Sequence, residues 1–297
     1  MKVVIPAPDR DRPDNCRDGY DWFGCYWRFD NQTQGYVQPL DRPFPLTDLC
    51  KWREQVKFPD LDALDWEEGS RKDLEGHDAS KYLLQIRTES GPFERLHQLY
   101  GFENAFIAMY DEPEAFLELM GALADFRIRL FRKIAQYYPA DLMLTMDDLG
   151  SSRGPLMSLD MYRRFIKPFD ARIIQALRDL GVFVVYHSCG SMEAFIPDII
   201  EMGADIINPL QGGINDQKSV EAEYGDRIIV SNGLDNIVHL PSTTEDELRA
   251  EVRRVMDIFW EKKNLIVLPN SYVPGYPDII LDEAKKFNMS RRQGEGG

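Results

Sequence analysis

From Lys81 onward, apolar positions alternate between two rhythms. Short runs rich in β-branched and aliphatic residues predict strands: Tyr82 to Thr88 (YLLQIRT), Leu142 to Asp148 (LMLTMDD), the VFVV run from Val182, which reads as buried on both faces, Ala204 to Pro209, Arg227 to Gly233 (RIIVSNG) and Leu265 to Asn270 (LIVLPN). Between them, apolar residues recur at helical spacing. Helices are expected over Phe93 to Tyr100 and over Asp111 to Tyr138, the latter with Pro113 in its first turn and Leu117, Met120, Ala124, Ile128 and Phe131 facing the core. A third spans Ser158 to Leu180, divided at Pro168 and ended by Gly181. A short helix follows Cys189, with Ser191 as N-cap and Gly203 as stop. The last starts from a Thr244-x-x-Glu247 capping box and carries Leu248, Val252, Val255, Met256 and Phe259 on one stripe.

Residues 1–80 read differently, being crowded with Pro, Asp, Arg and aromatics and lacking sustained periodicity. Lys2 to Pro6 predicts a short strand. Tyr20 to Trp27 (YDWFGCYW) places Trp22, Phe23, Tyr26 and Trp27 close together, either as a hairpin rib closing a core or as a wall over a flat apolar substrate. The stretch from Trp52 to Trp66 reads as a connection or cap. The expected organisation is an irregular segment over 1–80, a β/α domain over 81–290 and a flexible tail over 291–297.

Strand–helix–strand repeats are compatible with a doubly wound sheet or with a (β/α)8 TIM-type barrel. The polar residues favour the barrel. Asp147, Asp148, His187, Cys189, Asn208, Gln211, Asn232, Asp235, Asn270 and Ser271 all fall at or just past the carboxyl ends of successive strands, which a barrel gathers at one mouth. His187 and Cys189 stand at i and i+2, so an extended chain points an imidazole and a thiol to the same side. Asp147, His187 and Cys189 are the catalytic candidates. Trp22, Phe23, Tyr26, Asp148, Asn208, Gln211, Asn232, Asp235 and Ser271 are the candidates for substrate binding. Adjacent strand residues face opposite ways, so one of Asp147 and Asp148 is expected to enter the mouth.

Composition narrows the partners. In 297 residues, 43% hydrophobic content suffices for a full core, and 35 basic against 50 acidic side chains give a formal charge of −15. That charge argues against nucleic acid and anionic membranes as partners, and no apolar run reaches membrane-spanning length. Four scattered cysteines without a CxxC point to a reducing, cytoplasmic setting rather than a disulfide framework.

The blocks DDLGSSRGPLMSLDMYRRFIKP, HSCGSMEAFIPDIIEMGADIINPLQ, SNGLD and VLPNSYVPGYP, in that order over roughly residues 80–285, resemble the uroporphyrinogen decarboxylase superfamily, most closely its cobalamin-dependent methyltransferase branch. The resemblance implies a TIM-type barrel with its active site at the mouth. It also implies a zinc ion held by a His-x-Cys pair and a later Cys, with a corrinoid carried on a partner protein. His187 and Cys189 match the pair, and Ser271 stands where the later Cys would be. Asp147, Asp148, Glu193 or Asp235 could then supply a carboxylate in its place. The arginine-rich N-terminal motif of the decarboxylase branch has no counterpart in residues 1–80. The entry helix and first strand usual in the family are also unmatched, so either Lys2 to Pro6 supplies that strand or a partner chain closes the barrel.

Three functions follow. The first is a methyltransferase, moving a methyl group from a methylated small molecule, such as a methoxylated aromatic, to or from a corrinoid protein with zinc as Lewis acid. The second is a metal-independent decarboxylase, and the third a non-catalytic partner subunit. A homo-oligomer is compatible with each.

Overall fold

The computed structural model describes residues 1–13, 16–31 and 35–294, the side chains of 293 and 294 excepted. Seven parallel strands succeed one another in chain order: Lys2–Val4, Leu84–Arg87, Leu142–Met146, Phe183–His187, Ile206–Asn208, Ile229–Ser231 and Leu265–Ile266. A doubly wound sheet reverses its order at a switch point. This progression never reverses, which is the topology of a TIM-type barrel. No eighth strand of this sheet is found among the described residues.

The chain forms two compact units, Met1–Asp147 with Ser158–Val185, and Asp148–Met157 with Tyr186–Gly297. This division differs from the expected boundary at residue 80. In the first unit Lys2–Val4 pairs with Leu84–Arg87 in the register Lys2↔Leu84, so the N-terminal residues supply a sheet strand. Leu142–Met146 is buried at every position, as a strand covered on both faces must be. The long helix Pro113–Tyr137 buries Phe116, Leu119, Met120, Leu123, Ala124, Arg127, Leu130, Phe131 and Ile134. Leu117 and Ile128, expected in its core, lie at the margin of that stripe and are half-buried. Pro168 does divide the next helical stretch, into Leu159–Phe165 and Lys167–Asp179.

In the second unit, Gly203 ends helix Ile196–Met202 in the left-handed region at φ 94°. Thr244 and Glu247 form the reciprocal cap of helix Glu245–Ile258. Ser191 is not an N-cap: Met192 holds that place before the short 3-10 turn Glu193–Phe195, without a side-chain cap. Helices Trp66–Asp73, Phe102–Asp111, Gln217–Tyr224 and Tyr276–Gly294 were not expected. The last of these runs through much of the segment read as a tail, whose residues 295–297 lie outside the described part. Among the described residues no helix is long and apolar enough to cross a membrane.

Candidate metal centre

The candidate site occupies the second unit, where strand Phe183–His187 ends and the HSCG turn begins. His187 and Cys189 do share a side: Sγ of Cys189 lies 3.4 Å from Nε2 of His187. The carboxylate that joins them belongs to Asp148, whose Oδ1 accepts from the Cys189 amide at 2.8 Å and lies 3.7 Å from His187 Nε2. One ligand atom from each residue falls within 4.8 Å of the other two. His187 is nine-tenths buried, while Asp148 and Cys189 are half-buried.

The turn is held by backbone economy and amide clamps. Gly190 adopts φ 80°, and a side chain there would collide with the backbone of Gly150. Its amide donates to Gln211 Oε1 at 2.8 Å, and Gln211 in turn donates to Asn236 Oδ1 at 3.1 Å. Asn215 donates to the Gly190 carbonyl at 3.0 Å and accepts from the Met192 amide at 3.0 Å. Sequence reasoning missed Asn215, whose position past Gln211 in a loop carried no periodic signal. Asn208, ending the neighbouring strand, places its Oδ1 2.7 Å from His187 Nδ1.

Asp147 requires a correction. It belongs to the first unit, is fully buried, and accepts from the amides of Phe93 at 3.1 Å and Glu94 at 2.8 Å at the start of helix Pro92–Tyr100. Burial, then the neighbouring Asp170 and Glu94, raise its pKa well above the ordinary carboxylate value. Gly91 is required there, because a side chain would collide with Met146 and Asp147. Its carboxylate caps that helix, and the acid that lies beside His187 and Cys189 is Asp148.

The remaining candidates are placed as follows. Asp235 accepts from the Ile237 amide at 3.1 Å and caps the turn Asn236–His239. Ser271 donates to the Val238 carbonyl at 2.5 Å and accepts from the Val273 amide at 3.1 Å, so it orders its own loop. Asn232 sits at φ 61° with its buried side-chain oxygen unpartnered among the described residues. In the first unit, Phe23 is buried with its ring centroid 5.2 Å from that of Phe126. Trp22 donates to Asp11 and packs edge-on against Phe126 at 5.6 Å. Tyr26 meets Tyr20 edge-on at 5.1 Å and lies under Arg42. The aromatic cluster thus belongs to a hairpin rib, formed by Gly19–Tyr20 and Tyr26–Asp30.

These donors suit zinc. Zinc bonds of about 2.0–2.3 Å in a tetrahedron put neighbouring ligand atoms roughly 3.3–3.8 Å apart, which matches the two measured separations. One thiol, one imidazole and one carboxylate are ordinary zinc ligands, and three protein ligands leave a fourth position open for substrate.

The family profile described as uroporphyrinogen decarboxylase matches residues 86–273. A uroporphyrinogen decarboxylase of Thermus thermophilus is 28% identical over 205 residues, covering 59% of this chain and 57% of its own length. The methylcobamide:CoM methyltransferase MtbA of Methanosarcina mazei is 26% identical over 180 residues, covering 60% of this chain and 50% of its own. The chain thus spans about half the length of the curated relatives it matches. Among solved structures, a methyltransferase from Methanosarcina mazei superposes with a TM-score of 0.70 at 15% identity, covering 90% of this chain and 76% of its own. The fold is shared, and the curated relatives are enzymes. On the match over residues 86–273, the chain belongs to the uroporphyrinogen decarboxylase family.

Proposed function

We propose that the chain is a methyl-transfer enzyme in which Asp148, His187 and Cys189 hold a zinc ion beside a methylated small-molecule substrate. The observation that carries this reading is the convergence of three different zinc donors within 4.8 Å of one another, with His187 Nε2 at 3.4 Å from Cys189 Sγ and 3.7 Å from Asp148 Oδ1. Bound there, zinc supplies Lewis acidity, drawing charge from an ether oxygen or a thiol of the substrate. The protein does the rest. Cys189 contributes a thiolate whose own amide is tied to Asp148, His187 contributes a neutral nitrogen, and Asp148 takes the place that Ser271 leaves without a thiol. Gln211 and Asn215 keep the turn from relaxing.

A reduced corrinoid on a partner protein is the methyl carrier that suits this chemistry, and the likeness to a methylcobamide methyltransferase supports it. The substrate class is a methylated small molecule. With the aromatic rib engaged in its own unit, an aryl body is no longer favoured over an alkyl one.

The test is metal analysis of the purified chain, followed by methyl transfer to cob(I)alamin from a panel of methylated donors. One zinc per chain, lost in Cys189→Ala along with transfer, is the expected result. A metal-free chain that releases carbon dioxide from a carboxylated tetrapyrrole would instead establish the decarboxylase reading.

A further inference from the structure

We propose that Asn208 is a positioning residue that locks His187 as its Nδ1–H tautomer and so aims the Nε2 lone pair at the space shared with Cys189 and Asp148, an inference that builds on the metal reading above. The orientation of the Asn208 amide is settled by its other contact. Its Nδ2 lies 2.9 Å from the main-chain carbonyl of Ser231 and 3.3 Å from the Ser231 hydroxyl. A carbonyl oxygen only accepts, so the NH2 group must be on that side and Oδ1 must face His187.

That oxygen is 2.7 Å from His187 Nδ1. Two acceptors at such a distance repel, so Nδ1 carries the proton, and the lone pair of the neutral ring resides on Nε2. Nε2 is the nitrogen 3.4 Å from Cys189 Sγ and 3.7 Å from Asp148 Oδ1. Asn208 is 8% exposed and Ser231 1%, so water does not compete for either bond. The Asn208 carbonyl also accepts from the Ser188 amide at 3.0 Å, which ties the two strand ends together. His187, Asn208 and Ser231 are the last residues of three strands adjacent in the sheet, and the relay across their tips decides which imidazole nitrogen is offered. A metal-binding histidine usually owes its orientation to such a partner on its other nitrogen.

The ring tautomer can be read directly from long-range 1H–15N correlation spectra of the uniformly labelled, metal-free chain. The chain has four histidines, and His187→Gln assigns the signal of interest. The expected result is His187 as the Nδ1–H form in the parent, moved toward the Nε2–H form in Asn208→Leu, which offers no acceptor. Zinc titrated by dye competition should bind roughly 10- to 100-fold more weakly to Asn208→Leu than to the parent. An Nε2–H ring in the parent, or a tautomer unmoved in a folded Asn208→Leu, would overturn the proposal. The parent spectrum alone can deliver the first of these outcomes, so a variant that fails to fold does not shield the idea. An Nδ1–H parent that binds no zinc would support the positioning role and retire the metal reading.

Discussion

The two units each contain a dense polar cluster, and the two are built on opposite rules. In the first unit, Arg95 reaches Asp11 at 2.8 Å and also Asp21, while Arg127 reaches Asp11 at 3.0 Å and Thr88. The indole N–H groups of Trp22 and Trp27 fill further acceptor sites on the two carboxylates. Opposite charges face each other in the dry interior, and the carboxylates and guanidinium groups find most of their partners inside the cluster, with Arg127 Nε left without a hydrogen bond among the described residues. In the second unit, a carboxylate, an imidazole and a thiol face one another. All three are Lewis bases, and what complements such a set is a cation. Burial of charge alone therefore does not distinguish the two clusters. The second differs in gathering three donor atoms of the kinds that zinc takes.

Breaking the first cluster should give the largest effect. Arg95→Ala leaves Asp11 and Asp21 buried without their shared guanidinium, and removing one partner of a buried pair costs about 3–5 kcal/mol. Urea denaturation should show that loss in the midpoint, while zinc per folded chain stays at the parent value. Cys189→Ala should do the reverse. Zinc affinity by dye competition is expected to fall roughly 100-fold, with the urea midpoint of the metal-free chain within about 1 kcal/mol of the parent.

A pH scan sharpens the same contrast. Asp9 is buried beside Asp11, and desolvation first, then the Asp11 charge, lift its pKa to about 8, opposed by Arg127. With Asp9 protonated, the two acids Asp11 and Asp21 balance Arg95 and Arg127. The folded chain holds this proton up to about pH 8, whereas the unfolded chain releases it near the ordinary carboxylate value of 3.8. The associated stability is fully present below that lower value and is lost as pH rises toward 8. Between those limits the slope is about 1.4 kcal/mol per pH unit. Asp9→Asn cannot ionise, so its difference from the parent in urea-derived stability should grow steadily from pH 5 to pH 8. A constant difference would show that Asp9 is ionised in the fold.

Some of this was legible in the chain and some was not, for physical reasons. The pairing of His187 with Cys189 could be read because strand periodicity is local: two residues apart on an extended backbone means one side. The TIM-type progression was legible for the same reason, from apolar runs that each end in polar residues. The ion cluster of the first unit was not legible, because Asp11 and Arg127 are 116 positions apart and nothing local announces that they meet. The core stripe expected for its helix left out Arg127, which is buried, and included Leu117 and Ile128, which are half-buried. Helix Gln217–Tyr224 escaped because Val220 is the one aliphatic residue it buries. Strand Lys2–Val4 could be proposed from its composition, but its partner 82 residues away could not.

The choice between Asp147 and Asp148 shows where periodicity stops being informative, and it yields the finest test. Alternation says that adjacent carboxylates diverge, but it does not say which of them meets His187 and Cys189. That is decided by Gly91, whose lack of a side chain lets the start of helix Pro92–Tyr100 close onto Met146 and claim the Asp147 carboxylate for the amides of Phe93 and Glu94. Asp148 is left with the Cys189 amide and the imidazole. Two single substitutions should therefore separate cleanly. Asp147→Ala removes a helix cap and should lower stability by about 1–2 kcal/mol in urea, with zinc affinity unchanged. Asp148→Asn keeps an oxygen for the Cys189 amide but loses the anionic ligand, so zinc affinity should fall about tenfold, about 1.4 kcal/mol, with an unchanged urea midpoint. If Asp148→Asn instead bound zinc like the parent while Asp147→Ala did not, the two carboxylates would have to exchange roles, and with them the third ligand of the centre.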